Sequence, residues 1–199
     1  MEKFRYYLAL FVYSMKYEER IFINTLFRYV YIYIVSFEYL TRTRIEDDEL
    51  LIDKEIGVAN YYVLYEALQS LNSKNMITMI DAFSANIGDQ LDSYISGILS
   101  EGKVILDLRN IAYFVSIVSN YSDDVILSVF YNEPNVRDAT NRNEDLVKLS
   151  DNKLQSLLEE FESIANKEYG KNLDKYDVFT TWLDFIFEKY VEGKEHYEQ

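Results

Sequence analysis

The chain predicts a mainly helical fold, a helical bundle with one short β segment and a C-terminal helical hairpin. A single Pro stands in 199 residues, and proline is the residue that most reliably breaks a helix. Apolar residues recur at spacings of three and four over long stretches. At 49% hydrophobic and 16% aromatic, the chain can bury one substantial core or two small ones and is too apolar for general disorder.

Residues 4–14 and 18–40 read as two helices, the second apolar on most faces and therefore central to the core. The window 21–40 (IFINTLFRYVYIYIVSFEYL) is long enough to consider as a membrane span. It carries Asn24, Arg28 and Glu38, which are expensive in hydrocarbon, so a buried helix is expected. Tyr alternating with Ile and Val over 29–35 leaves a strand as a competitor there.

Glu46, Asp47, Asp48 and Glu49 place four acids just before Leu50, Leu51 and Ile52, as the positive end of a helix dipole prefers. Gly57 interrupts. Tyr61, Leu64, Tyr65, Leu68 and Leu71 then recur with helical spacing, and a short β-prone run, Met76 to Ile80, follows. Two helices meeting at a glycine turn, then a strand, is the order of a helix-turn-helix leading into the first wing strand of a winged helix, here spanning 46–108. A helix over 84–100 ends at Glu101-Gly102. The second wing strand falls beyond it at 103–108 (KVILDL).

Residues 109–131 read as two short helices broken at 120–124, where Ser122 or Asp123 is placed to cap the second. Over 132–149 the large apolar residues thin out and the only Pro appears, the composition of an exposed loop or linker. It separates a first domain, 1–131, from a hairpin in 150–193. One hairpin helix covers 151–168, with Leu154, Leu157, Leu158, Phe161, Ile164 and Ala165 on one face; the other covers 174–192, with Val178, Phe179, Trp182, Leu183, Phe185, Ile186 and Tyr190, and stops at Gly193. About fifty residues bury too little alone, so the hairpin is expected to dock on the first block or on a partner.

Catalytic chemistry is hard to build from these residues. There is no Cys, hence no disulfide, thiolate metal site or cysteine nucleophile, as suits a reducing cytoplasm. No secretory leader is expected, because charges and tyrosines interrupt the first apolar run. None of the six glycines forms a phosphate-cradling pattern. His196, the one histidine, sits in a charged tail. The acid pairs Asp123/Asp124 and Glu159/Glu160, like the run at 46–49, read as helix starts and solvated faces. No catalytic, cofactor-binding or metal-binding residue is therefore expected; an enzyme using paired carboxylates and a divalent metal is the alternative of that class.

Charge narrows the partners. The net charge is -14, and because residues 1–44 carry +3 the remainder carries -17. Phosphate contacts supply much of DNA affinity, and the helix over 61–74 exposes Asn60, Glu66, Gln69, Asn72 and Ser73 with only Lys74 as a cation. Protein binding is expected instead, through Tyr61, Tyr62, Tyr65, Trp182 and Tyr190, since interfaces favour aromatics at their centres. A dimeric DNA-binding winged-helix transcription regulator is the alternative.

Residues 58–80 (VANYYVLYEALQSLNSKNMITMI) resemble the end of the recognition helix and the entry to the wing in the small middle components of bacterial ABC-three-component systems, including the small accessory subunit of Lamassu-type defence. More loosely, the chain is similar to the acidic tandem winged-helix accessory subunits of bacterial condensins. The resemblance implies a non-catalytic subunit of a hetero-oligomer, bridging an SMC/Rad50-like ATPase and an effector such as a nuclease in defence against phages or plasmids; the polar residues in 21–40 and the negative charge add the expectation of no membrane and no direct sequence-specific nucleic acid. It carries no catalytic motif across.

Overall fold

Helix α1 (Glu2–Ser14) is followed by a two-residue strand β1 (Ile21–Phe22) and helix α2 (Ile23–Thr41) in a computed structural model that describes residues 2–43, 49–169 and 172–197. Next come β2 (Glu49–Asp53), β3 (Val58–Ala59), α3 (Tyr61–Ser73), β4 (Ile77–Asp81) and β5 (Ser84–Ile87). The rest is α4 (Leu91–Ile98), α5 (Gly102–Val118), α6 (Asp123–Asn132), α7 (Pro134–Asn141), β6 (Leu146–Lys148), α8 (Lys153–Tyr169) and α9 (Lys175–Tyr197). The mainly α fold class holds.

Two compact units divide the chain, one formed by Met1–Tyr31 with Val58–Asn120 and the other by Ile32–Gly57 with Tyr121–Gln199. In the first unit α1 is central and packs on α3, α4 and α5. Five consecutive residues, Leu8 to Val12, are buried, as a helix apolar on all sides requires. The stretch Tyr29 to Val35 is helical, so the strand alternative is set aside. Helix α2 begins at Ile23, later than the sequence suggests, because Ile21 and Phe22 pair antiparallel with Ala85 and Ser84 of β5. Ile23 N then donates to Phe83 O at 2.9 Å.

A β hairpin does follow α3, but its second strand is β5, within the expected helix over 84–100. Asp81 makes the turn: its Oδ1 accepts from Phe83 N and from Ser84 Oγ, each at 2.8 Å. Such local side-chain bonds are how Asp stabilises turns. Residues 103–108, expected as a wing strand, lie in α5, where Val104, Asp107, Ile111, Phe114, Val115 and Val118 are buried at helical spacing. Gly88 lets the chain leave the hairpin: a Cβ there would sit 2.3 Å from Asn75 O.

The expected first helix of the helix-turn-helix is also corrected. Glu49 to Asp53 is a strand, with Leu50 and Ile52 buried and Leu51 exposed. That alternation is the period of a pleated strand. Glu49, Leu50 and Leu51 pair antiparallel with Lys148, Val147 and Leu146 of β6. The acids Glu46 to Asp48 lie outside the described residues. Of the winged-helix pattern, the described residues keep α3 and the hairpin.

In the second unit α6 packs on α9 and α7, and α8 packs on α7 and α9. The hairpin is present, and α9 runs on past Gly193 to Tyr197. The linker over 132–149 is corrected, because α7 and β6 occupy most of it. Its polar residues are structural: the fully buried Glu133 carboxylate accepts from Asn135 N at 3.1 Å and Val136 N at 3.0 Å, with Pro134 in the first turn. Glu133 thereby caps two of the amides that every helix start leaves unsatisfied, and Pro has no amide to satisfy at that position.

Candidate functional site: an aromatic surface on the third helix

Asn60, in the left-handed conformation with φ 50°, turns the chain into α3, a geometry that Asn tolerates better than most residues. The first two turns of that helix then present three tyrosines. Tyr61 stacks on Tyr65, one turn later, with ring centroids 5.7 Å apart and planes at 15°. Tyr62 and Phe27 meet Tyr61 edge-on, both at 5.8 Å. Edge-on and offset-stacked rings satisfy the aromatic quadrupoles, which adds rigidity to plain area burial.

The cluster grades from core to solvent. Phe27 is fully buried, Tyr61 and Tyr65 are half-buried, and Tyr62 is 76% exposed. On the other side of α3, Leu64, Ala67, Leu68 and Leu71 are buried at helical spacing, so the helix cannot roll to hide Tyr62. Glu66 is exposed on the next turn.

The remaining two expected contact residues behave differently. Trp182 is only 2% exposed and packs at 5.8 Å on Phe179 in the core of the second unit; it is corrected from a contact residue to a core residue, because α9 buries Val178, Phe179, Trp182, Leu183 and Ile186 on one face. Tyr190 is half-buried and donates its hydroxyl to Asp124 Oδ2 at 3.3 Å. Tyr61, Tyr62 and Tyr65 therefore form one cluster within the first unit, and Trp182 and Tyr190 belong to the second.

Three other tyrosines have hydroxyls committed to carboxylates. Tyr6 donates to Asp107 Oδ2 at 3.0 Å, Tyr39 to Glu162 Oε2 at 3.1 Å and Tyr121 to Asp184 Oδ1 at 2.6 Å. Burial first, and then the neighbouring carboxylate, pushes each phenol above its usual range. Lys175 lies over the Tyr39 ring at 4.0 Å. No local pattern announces these pairs, whose members stand 63 to 123 positions apart.

Among the described residues no group of three acidic or histidine side chains is placed to hold a metal. Asp123 and Asp124 lie in the first turn of α6, and Glu159 and Glu160 are exposed on α8. A small cleft in the second unit is lined by Asn135, Asp138, Arg142, Lys148, Asp151 and Lys153. Within it Asp138 pairs with Lys153 at 2.7 Å and with Arg142 at 3.0 Å. No helix among the described residues is long and apolar enough to cross a membrane.

No protein-family model, curated protein or solved structure matches this chain.

Proposed function

We propose that this chain is a non-catalytic accessory subunit that binds a larger protein partner, an SMC/Rad50-like ATPase of a cytoplasmic defence complex against phages or plasmids. The observation that carries the reading is Tyr62, 76% exposed at the rim of a ring cluster that fixes its neighbours. A large aromatic held out of the core loses little rotamer entropy on docking, which is why such residues dominate binding energies. Tyr61 and Tyr65 widen the contact. The net charge of -14 favours polypeptide partners over phosphodiester backbones.

The partner's identity rests on the resemblance of residues 58–80 to the middle components of ABC-three-component systems. Affinity purification from the native host tests it. Recovery of a coiled-coil ATPase supports the reading, and recovery of the chain alone as a stable monomer defeats it. A gel shift at low salt, where electrostatic DNA binding is strongest, separates it from a DNA-binding regulator, for which a shift that fades with added salt is the expected result.

A further inference from the structure

Helix α5 carries large apolar residues on both sides, one side buried and the other exposed. Its inner face, Val104, Ile111, Phe114 and Val118, is buried in the first unit, where α5 packs on α1. Asp107, on that same face, is taken by the Tyr6 hydroxyl at 3.0 Å. Its outer face carries Ile105, Leu106, Arg109, Ala112, Tyr113 and Ser116, all exposed. Spacings of three and four put these six on one stripe with Arg109 at its middle. Ile105 is 54% exposed and Leu106 is 48% exposed. A solvent-facing helix side is normally polar, and a helix apolar all round is normally covered.

Charge says what covers it. In a chain of net charge -14, the solvent-facing charges on α5 are both positive: Lys103 and Arg109. Among the described residues neither enters an ion pair. A second copy of the chain fits poorly, because a two-fold contact centred on this stripe would set Arg109 against its own counterpart. An apolar stripe at 3–4 spacing with one charge at its centre is the surface that a second helix reads, and the central charge selects the partner.

We infer that the outer face of α5 docks an acidic amphipathic helix of another polypeptide, its apolar stripe on Ile105, Leu106 and Ala112 and a carboxylate against Arg109. This surface is separate from Tyr62 and stands whether or not the ATPase reading does. A displayed library of helical peptides with an apolar heptad stripe and a randomised central position, selected on the full chain, tests it. Selected peptides are expected to carry Asp or Glu at the central position and to lose at least tenfold in affinity towards Arg109→Glu. Selection on Arg109→Glu is expected to switch that position to Lys or Arg. Leu106→Asp, also at an exposed site, should abolish binding while leaving the thermal midpoint unchanged.

Three results would overturn the inference. One is binders without acidic enrichment, or none at all. Another is binding indifferent to both substitutions. The last is self-association of the chain, seen by sedimentation, that Leu106→Asp dissolves.

Discussion

Asn135 and Asn152 join side chain to side chain, Nδ2 to Oδ1 at 3.0 Å, and that bond ties together three helices of the second unit. Asn135 Oδ1 accepts from Lys153 N at 2.8 Å, at the start of α8, while its Nδ2 also donates to the buried Glu133 carboxylate at 2.6 Å. Asn152 Nδ2 donates to Val35 O, on α2, at 2.6 Å. Each amide is used on both its ends.

Removing one member should therefore strand the others. Asn152→Ala is expected to destabilise the protein by about 1–3 kcal/mol, the cost of leaving buried partners unsatisfied. The double variant with Asn135→Ala should cost less than the sum of the singles, as members of one network couple. Urea denaturation followed by circular dichroism measures both, and additive costs would show that the bond does not matter.

Gly88→Ala tests the close approach behind the hairpin. The added methyl would meet Asn75 O at 2.3 Å and Met76 C at 2.7 Å, both backbone atoms, so relief requires moving the chain. A loss of about 1–3 kcal/mol is expected, in the range of overpacked sites. Gly97→Ala is the control, with open space around its Cβ, and its helical position on α4 should make it neutral or slightly stabilising.

The aromatic residues should separate into two classes. Trp182→Ala is expected to cost about 3–5 kcal/mol of stability, as large-to-small changes in a core do. Tyr62→Ala, at an exposed position, should stay within about 0.5 kcal/mol. Thermal melts of the two variants check this, and equal effects would place both residues in the same environment.

Alkaline titration should find Tyr6, Tyr39 and Tyr121 late. Their phenols are raised by burial and by Asp107, Glu162 and Asp184 respectively. A raised pKa means that the folded state holds the proton more tightly, so the stabilisation is complete below the ordinary tyrosine range near pH 10 and is lost as pH rises through the folded values. Ultraviolet titration should show three phenolates appearing only with unfolding. Glu162→Gln should bring Tyr39 back towards the ordinary range.

How far the residues announced this fold depends on how local each signal is. Helices α3, α6, α8 and α9 repeat apolar residues within themselves, so periodicity found them. Strand β2 did not, because the acids ahead of Leu50 fit a helix dipole equally well and the strand's partner, Val147, lies almost a hundred positions on. The turn at Asp81 was hidden because the helix expected over 84–100 ran through the hairpin's second strand, Ser84 to Ile87. Glu133-Pro134-Asn135 looked like a linker because its polarity is that of a cap, and burial of the carboxylate shows only in three dimensions.

The candidate site was legible in part for a similar reason. Aromatic residues fill cores and interfaces alike, so sequence named Tyr62 and Trp182 together, and packing alone parts them. The outer face of α5 was missed because Lys103 to Leu108, with Val104, Ile105 and Leu106 in a row, reads as a short apolar strand.

The most direct test of the central claim is a comparison of wild type with Tyr62→Ala, each tagged and purified at native abundance, with the mass of the eluted assembly determined. The account predicts a stoichiometric complex with a coiled-coil ATPase for the wild type and a free, folded chain for the variant. A monomer in both preparations, or the same complex in both, would contradict it.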